Sequence, residues 1–275
     1  MHLPAHIHGR IFYRSQNERT LTLHDNRLWP RKLAAPKLAK TILASGALLF
    51  LTLCFPVGFS GFPKAPTAIR DHGVFILQVA GRRIGTENFE IRSRGDQVEA
   101  RAETQIHVTQ NGKTFDFKTF PDLILNAALE PIAYTWSQKG SQSSRISINF
   151  AKSPVRVRYH TVNGRQDVRT FALPRSVVIL DDNVIDQYEL VAERYLRTPG
   201  GKQTFQAFTP QEALPGVITV SSLGAESLQI NGHKQICQHL ALSTSLAQID
   251  LWVDKQGQLL RMERASTQFI AFRAR

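Results

Sequence analysis

The sequence predicts a mostly β protein: one strongly curved antiparallel sheet or open barrel, a meander of β-hairpins, with one packed α-helix. Three observations predict it. Apolar and polar residues alternate in short segments from Val74 to the C-terminus, with turn residues between them about every ten residues. One segment alone, Asn183–Leu196, has helical spacing. An uncharged apolar stretch, Thr41–Phe62, stands apart from everything after it.

That stretch decides the compartment. Thr41–Phe55 carries no charge, and fifteen residues of helix span only about 22 Å against a hydrocarbon core of about 30 Å. Val57, Phe59 and Phe62 extend the run past Pro56 and Gly58. Arg31, Lys32, Lys37 and Lys40 precede it. A basic flank before a short apolar run is the pattern of a signal peptide or an uncleaved signal-anchor helix, with the positive side in the cytoplasm and the body exported. Residues 1–40 then read as a basic cytoplasmic leader, disordered because no period runs through it, and its His6 and His8 as solvated tail histidines. Forty residues is long for a signal's basic region, which suggests a translation start downstream of Met1. Cys54 follows a lipoprotein-like Leu51-Thr52-Leu53, yet Leu53 is larger than such a box accepts. Residues 63–73, with Pro63 and Pro66, read as a linker, and 74–275 as the exported β domain.

The strands follow from period two. Phe75–Ala80 and Glu87–Arg92 flank a connection at Gly81–Gly85. In Val98–Val108 the even positions Val98, Ala100, Ala102, Thr104, Ile106 and Val108 share one face. Asn111-Gly112 supplies the positive-φ pair of a two-residue hairpin, with Phe115 and Phe117 beyond it. Pro121–Leu129 reads as a short turn, then Ile132–Ser137 and Arg145–Phe150 alternate again. Pro154–Val162 sets Val155, Val157 and Tyr159 against Arg156, Arg158 and His160, and Asn163-Gly164 is a second hairpin signal.

The helix is expected over Asn183–Leu196, where Val184, Tyr188, Val191 and Tyr195 fall on one stripe. Asp182 is placed to cap it, and Pro199-Gly200-Gly201 to end it. Strands resume at Thr204–Phe208, Val217–Leu223, Ser227–Ile230, Gln235–Leu242, Gln248–Val253, Leu259–Glu263 and Gln268–Phe272.

The second half carries a resemblance. Val178-Ile179-Leu180-Asp181-Asp182-Asn183 before the helix, Gln203-Thr204-Phe205 running to Pro210, and the closing Leu251-Trp252-Val253-Asp254-Lys255-Gln256-Gly257-Gln258-Leu259-Leu260-Arg261 resemble an exported bacterial family known as a domain of unknown function. The closing Trp-x-Asp…Gly…Leu hairpin is similar, more distantly, to one in the periplasmic lipoprotein-carrier proteins. That second likeness implies a curved sheet that holds an acyl chain. Neither resemblance implies catalytic residues.

Charge and cysteines bound the function. Of the net +12, residues 1–62 contribute +6 through eight Lys and Arg against two acids, leaving +6 on the body. That favours anionic surfaces, without the motif that nucleic-acid binding requires. Cys237 is the body's lone cysteine, so no internal disulfide forms there, which fits a bacterial periplasm.

Candidate sites are weighed against bland readings. Asp181, Asp182, Asp186 and Glu189 suit a divalent cation or paired carboxylates, and equally a helix cap, the commoner use. Cys237 and His239 share a strand face as a nucleophile pair would, although a buried thiol beside an imidazole is more common. His107, His160 and His233 are scattered, and no hydrolase, metalloprotease, dinucleotide or phosphate-loop motif occurs. Arg82, Arg83, Arg101, Arg156 and Arg158, with Arg92 and Arg94, lie on polar strand faces and form a candidate basic surface for anionic headgroups. Phe115, Phe117, Tyr134, Trp136, Phe150 and Trp252 are core residues, or line an apolar cavity if the sheet curls without a covering layer.

Three functions stay open. The first is a non-enzymatic envelope protein that binds an apolar or lipid-like molecule on the concave face, with no cofactor, metal or nucleic acid. The second is an envelope assembly module that works through protein contacts at sheet edges. The third is a hydrolase with an unrecognised site. A continuous apolar groove favours the first, a filled core with an exposed strand edge the second, and a cleft around a perturbed acid the third.

Overall fold

The computed structural model describes residues 67–274 apart from 111–112, 141–142, 161–163, 199, 231 and 246, so the leader, the apolar stretch and the turns at 111–112 and 231 lie outside the described residues. Lys64–Arg275 forms one compact unit.

The first eight strands are β1 (Thr67–Val79), β2 (Arg82–Arg94), β3 (Gln97–Gln110), β4 (Lys113–Asn126), β5 (Pro131–Gly140), β6 (Ser144–Asn149), β7 (Val155–His160) and β8 (Gln166–Phe171). Each pairs antiparallel with the next. The chain then crosses through β9 (Val178–Ile179) and helix α1 (Asp186–Leu196). It returns through β10 (Gln203–Thr209), β11 (Leu214–Ile230), β12 (His233–Ser243), β13 (Gln248–Val253), β14 (Leu259–Arg264) and β15 (Phe269–Arg273). β15 pairs with β1 from Phe75↔Arg273 to Val79↔Phe269, so the first and last described strands lie side by side in mid-sheet. The outcome is one curved, unclosed sheet of fifteen strands with one α-helix, ending in β8 on one side and β9 on the other. Among the described residues its single parallel pair is β9 with β10.

Several boundaries differ from the sequence reading for identifiable reasons. β1 begins at Thr67, inside the segment read as linker, because Asp71 and Gly73 pair with Ile91 and Phe89 although no apolar period marks them. The first hairpin turns on Ala80 and Gly81 alone, both at positive φ, so Arg82–Gly85 is strand rather than connection. Gly85 is there because a Cβ would sit 2.0 Å from the Gln105 carbonyl oxygen. Pro121 does not turn the chain: β4 continues through it, and the β3–β4 ladder skips from Arg101↔Asp122 to Thr104↔Thr119, since proline has no N–H to donate. Val217–Leu223 and Ser227–Ile230 are one strand, kinked by a register shift between Ser222 and Gly224. β8 has no counterpart in the sequence reading; all but Phe171 of it is exposed, so no alternation marks it.

Both halves fill one core. Phe75, Leu77, Ile106 and Tyr134 from the first half and Phe208, Leu240, Leu251 and Leu259 from the second have zero exposure. Fully burying such a side chain is worth about 1.5–3 kcal/mol. The helix lies among them with Tyr188, Val191 and Tyr195 of its expected stripe buried; it starts at Asp186 rather than Asn183, so Val184 is buried just ahead of it. The two ends of the sheet meet through side chains rather than a ladder. The Tyr159 hydroxyl donates to the Pro210 carbonyl at 3.1 Å, and the Phe171 and Phe208 rings lie 4.8 Å apart.

Candidate functional site

Buried polar groups concentrate where α1 meets the sheet. Glu87 falls in phase with Phe89 and Ile91 on β2 and so points inward, fully buried. Its carboxylate accepts the backbone N–H of Ile185 at 2.8 and 3.0 Å, that of Asp186 at 2.8 Å, and the Thr104 hydroxyl at 3.0 Å. It thereby satisfies the amides at the start of α1, whose N-cap residue Ile185 has no capping side chain. This corrects the expectation that Asp182 caps the helix: the cap comes from a strand about a hundred residues earlier in the chain. Burial, then the charge of Asp186, pushes Glu87 up to about 8, and burial lifts Asp186 to about 7.

Asp181 is held differently. It accepts the Tyr134 hydroxyl at 2.7 Å and the Gln211 amide at 2.9 Å, while its own N–H donates to the Gln187 side-chain oxygen at 2.6 Å. Burial moves Asp181 up to about 7; burial, and then the facing Asp181, drives the Tyr134 hydroxyl well above its ordinary range.

Arg273 ties β15 to β1 and to α1. It donates to both Asp71 oxygens, at 2.9 and 2.5 Å, to Glu189 at 3.0 Å, and through Nε to the Leu259 carbonyl at 2.9 Å. Its guanidinium lies over the stacked Phe89 and Phe75 rings. Burial opposes ionisation of Asp71, yet the Arg273 hydrogen bonds hold it below the usual range. Burial, and then the neighbouring Asp71, raises Glu189 well above its own. Asp71 is therefore the more acidic of the two. The acids read as a candidate cation cluster are thus divided between separate partners. Among the described residues no group of three or more His, Cys, Asp and Glu side chains is placed to hold a metal ion.

The outer face carries the remaining candidates. Cys237 is buried, its thiol within 3.7 Å of the Gln235 carbonyl, and burial pushes that thiol up, away from a nucleophilic thiolate. His239 stacks on Trp252 at 4.4 Å and lies between Glu226 at 2.8 Å and Asp250 at 3.1 Å; the Trp252 indole N–H donates to the same Glu226. His107 pairs with Asp116. Arg156 and Arg158 share the exposed face of β7, beside exposed Arg145 across the pair. Arg101, four strands away, is tied to Glu99 and Asp122, and Arg82 and Arg83 stand exposed at the first hairpin. The basic residues are therefore spread over three places.

The six aromatics are placed as follows. Tyr134, Trp136, Phe150 and Trp252 are buried, while Phe115 and Phe117 are half-buried on β4. An open depression of about 440 Å³ lies elsewhere, between Leu196, Gly224, Ile236, Cys237 and Lys255.

The two sheet ends differ sharply. β9 is two residues long and buried. β8 is six residues long, exposed from Gln166 to Thr170, and paired on one side only. Within Gln166–Phe171 it has no proline, no lysine and no break in its register with β7, so its short length and the charges of Asp167 and Arg169 are what blunt this edge. No apolar run announced it; the hairpin signal Asn163-Gly164 before it and the opposite charges at Asp167 and Arg169 around Val168 are the signals it leaves in the sequence.

Comparison with known proteins adds little to this geometry. No family model matches the chain, and no curated protein does. Among solved structures, a DUF1089 family protein from Pseudomonas aeruginosa is similar at 12% identity and a TM-score of 0.42, over 63% of this chain and 87% of that one.

Proposed function

We propose that this chain is a non-enzymatic protein of the bacterial cell envelope that works as an assembly module, engaging a protein partner along the free edge of β8. One observation carries the reading: a filled core with one buried and one exposed edge strand. The periplasmic setting, with residues 41–62 as inner-membrane anchor or cleaved signal, is supported by the basic flank and apolar run and by the resemblance to an exported family. The perturbed acids argue for scaffolding rather than catalysis, because Glu87, Asp181 and Glu189 bind backbone amides of the fold and are at most 5% exposed.

A photo-crosslinking residue at Val168, in the full chain in its native envelope, tests this. The expected result is a discrete protein adduct that is missing when the crosslinker replaces exposed Leu214 instead. Equal labelling at both positions, or none, overturns it.

A second reading, binding of an apolar or lipid-like molecule, is favoured by the open depression, where Ile236 is 75% exposed. A lipid that copurifies with the wild-type chain and is lost from an Ile236→Lys variant would establish it; an apo mass for both would remove it.

A further inference from the structure

The free edge of β8 is complementary to itself. We infer that its partner is a second copy of this chain, joined β8 to β8, antiparallel, about a two-fold axis through Val168. This deepens the reading of β8 as a docking edge and rests on it.

The register argument starts from the strand. Directly opposed residues of an antiparallel pair lie on the same face. With Val168 on the axis, Asp167 faces the partner's Arg169, Arg169 faces the partner's Asp167, and Gln166 faces the partner's Thr170. Val168, 48% exposed in the single chain, packs on the partner's Val168. Other registers fail. A slip of one residue sets Val168 against a charge and turns the partner's sheet face inside out. A slip of two in either direction sets Asp167 against the partner's Asp167, or Arg169 against the partner's Arg169.

The charges are available for this. Arg169 Nε now donates to Asp167 Oδ2 at 2.8 Å within one strand and its guanidinium lies 5.3 Å from the Tyr159 ring centroid, yet both side chains are more than half exposed, and such exposed contacts contribute little to the monomer. The neighbouring basic residues do not oppose assembly. Arg158 lies opposite Val168 in its own sheet, so the two copies of Arg158 stand three strand spacings apart. That is about 14 Å, beyond the screening length of about 8 Å at physiological salt. One ladder of five residues, Gln166–Thr170, gives a small interface, so association is expected to be weak and concentration-dependent.

The test uses charge reversal in the full chain, followed by sedimentation over a range of concentrations. The wild type is expected to show a monomer–dimer equilibrium. Asp167→Arg and Arg169→Asp, made singly, set like charges across both symmetric pairs and raise the dissociation constant about tenfold or more. An equimolar mixture of the two single variants is expected to form heterodimers. The double variant, which swaps the charges within the strand, is expected to dimerise like the wild type. An ion pair acting only within one chain predicts no heterodimer on mixing. A wild type that stays monomeric throughout, or single variants that associate as it does, overturns the self-pairing. If a crosslinker at Val168 then still captures one defined foreign protein, the docking edge stands and only the choice of partner is wrong. If it captures none, both readings fall.

Discussion

The buried carboxyls make stability depend on pH in an unusual direction. Glu87, lifted to about 8, and Asp181 and Asp186, each lifted to about 7, hold protons in the folded chain that they release on unfolding, where they return to values near 4. Between about pH 5 and pH 7 the folded state therefore binds more protons than the unfolded one, and stability falls as pH rises. Below about pH 4 these three acids are protonated in both states and their contribution ends, while Asp71, held below the usual range, loses its own contribution as pH falls further. The slope is about 1.4 kcal/mol per pH unit for each proton retained. Across its window, from 4.5 to about 8, Glu87 alone changes the stability by about 5 kcal/mol, a large share of an ordinary domain's total. Urea unfolding followed by tryptophan fluorescence at about pH 5.5, 6.5 and 7.5 measures this. Glu87→Gln keeps an acceptor for the helix amides and removes one titrating group, so its profile should be shallower by about one proton's slope. A wild-type profile that is flat or rises over this range would refute the protonated, buried state of these acids. Equal slopes in both proteins would clear Glu87 specifically.

Three further outcomes follow from the same geometry. Arg273→Leu strips the cation from buried Asp71 and Glu189 and should lower the unfolding free energy by about 3–5 kcal/mol; a loss under about 1 kcal/mol would show the clamp to be dispensable. Gly85→Ala forces a Cβ to within 2.0 Å of the Gln105 carbonyl oxygen and should cost about 3 kcal/mol, read from the denaturant midpoint, with local loss of amide protection in β2 and β3. The Cys237 thiol, buried and pushed upward, should react with a disulfide reagent only as fast as the chain opens, so prompt labelling of native protein at neutral pH would contradict its placement.

Period-two alternation was enough to read the sheet from the sequence, because a half-buried strand must present alternate residues to the core. Val155, Val157 and Tyr159 against Arg156 and Arg158 is one case, and the structure keeps it. The helix stripe was legible for the same reason. The long-range contacts were not. Glu87 caps a helix that starts at residue 186, and Arg273 ties the last described strand to Asp71 in the first; no local pattern encodes such partners. One trace of Glu87 was present, an acid in phase with Phe89 and Ile91 on an apolar strand face. β8 was signalled only by the Asn163-Gly164 turn before it, because an exposed edge strand has no buried face to impose alternation. The sequence by itself therefore determined the architecture, one curved sheet with one helix, through local burial patterns that each segment carries alone. Only the tertiary structure decided which acids would share protons beneath the helix and which sheet end would be left open. Those outcomes depend on where the chain returns after the crossing at β9 and α1, a matter of packing between residues far apart in sequence.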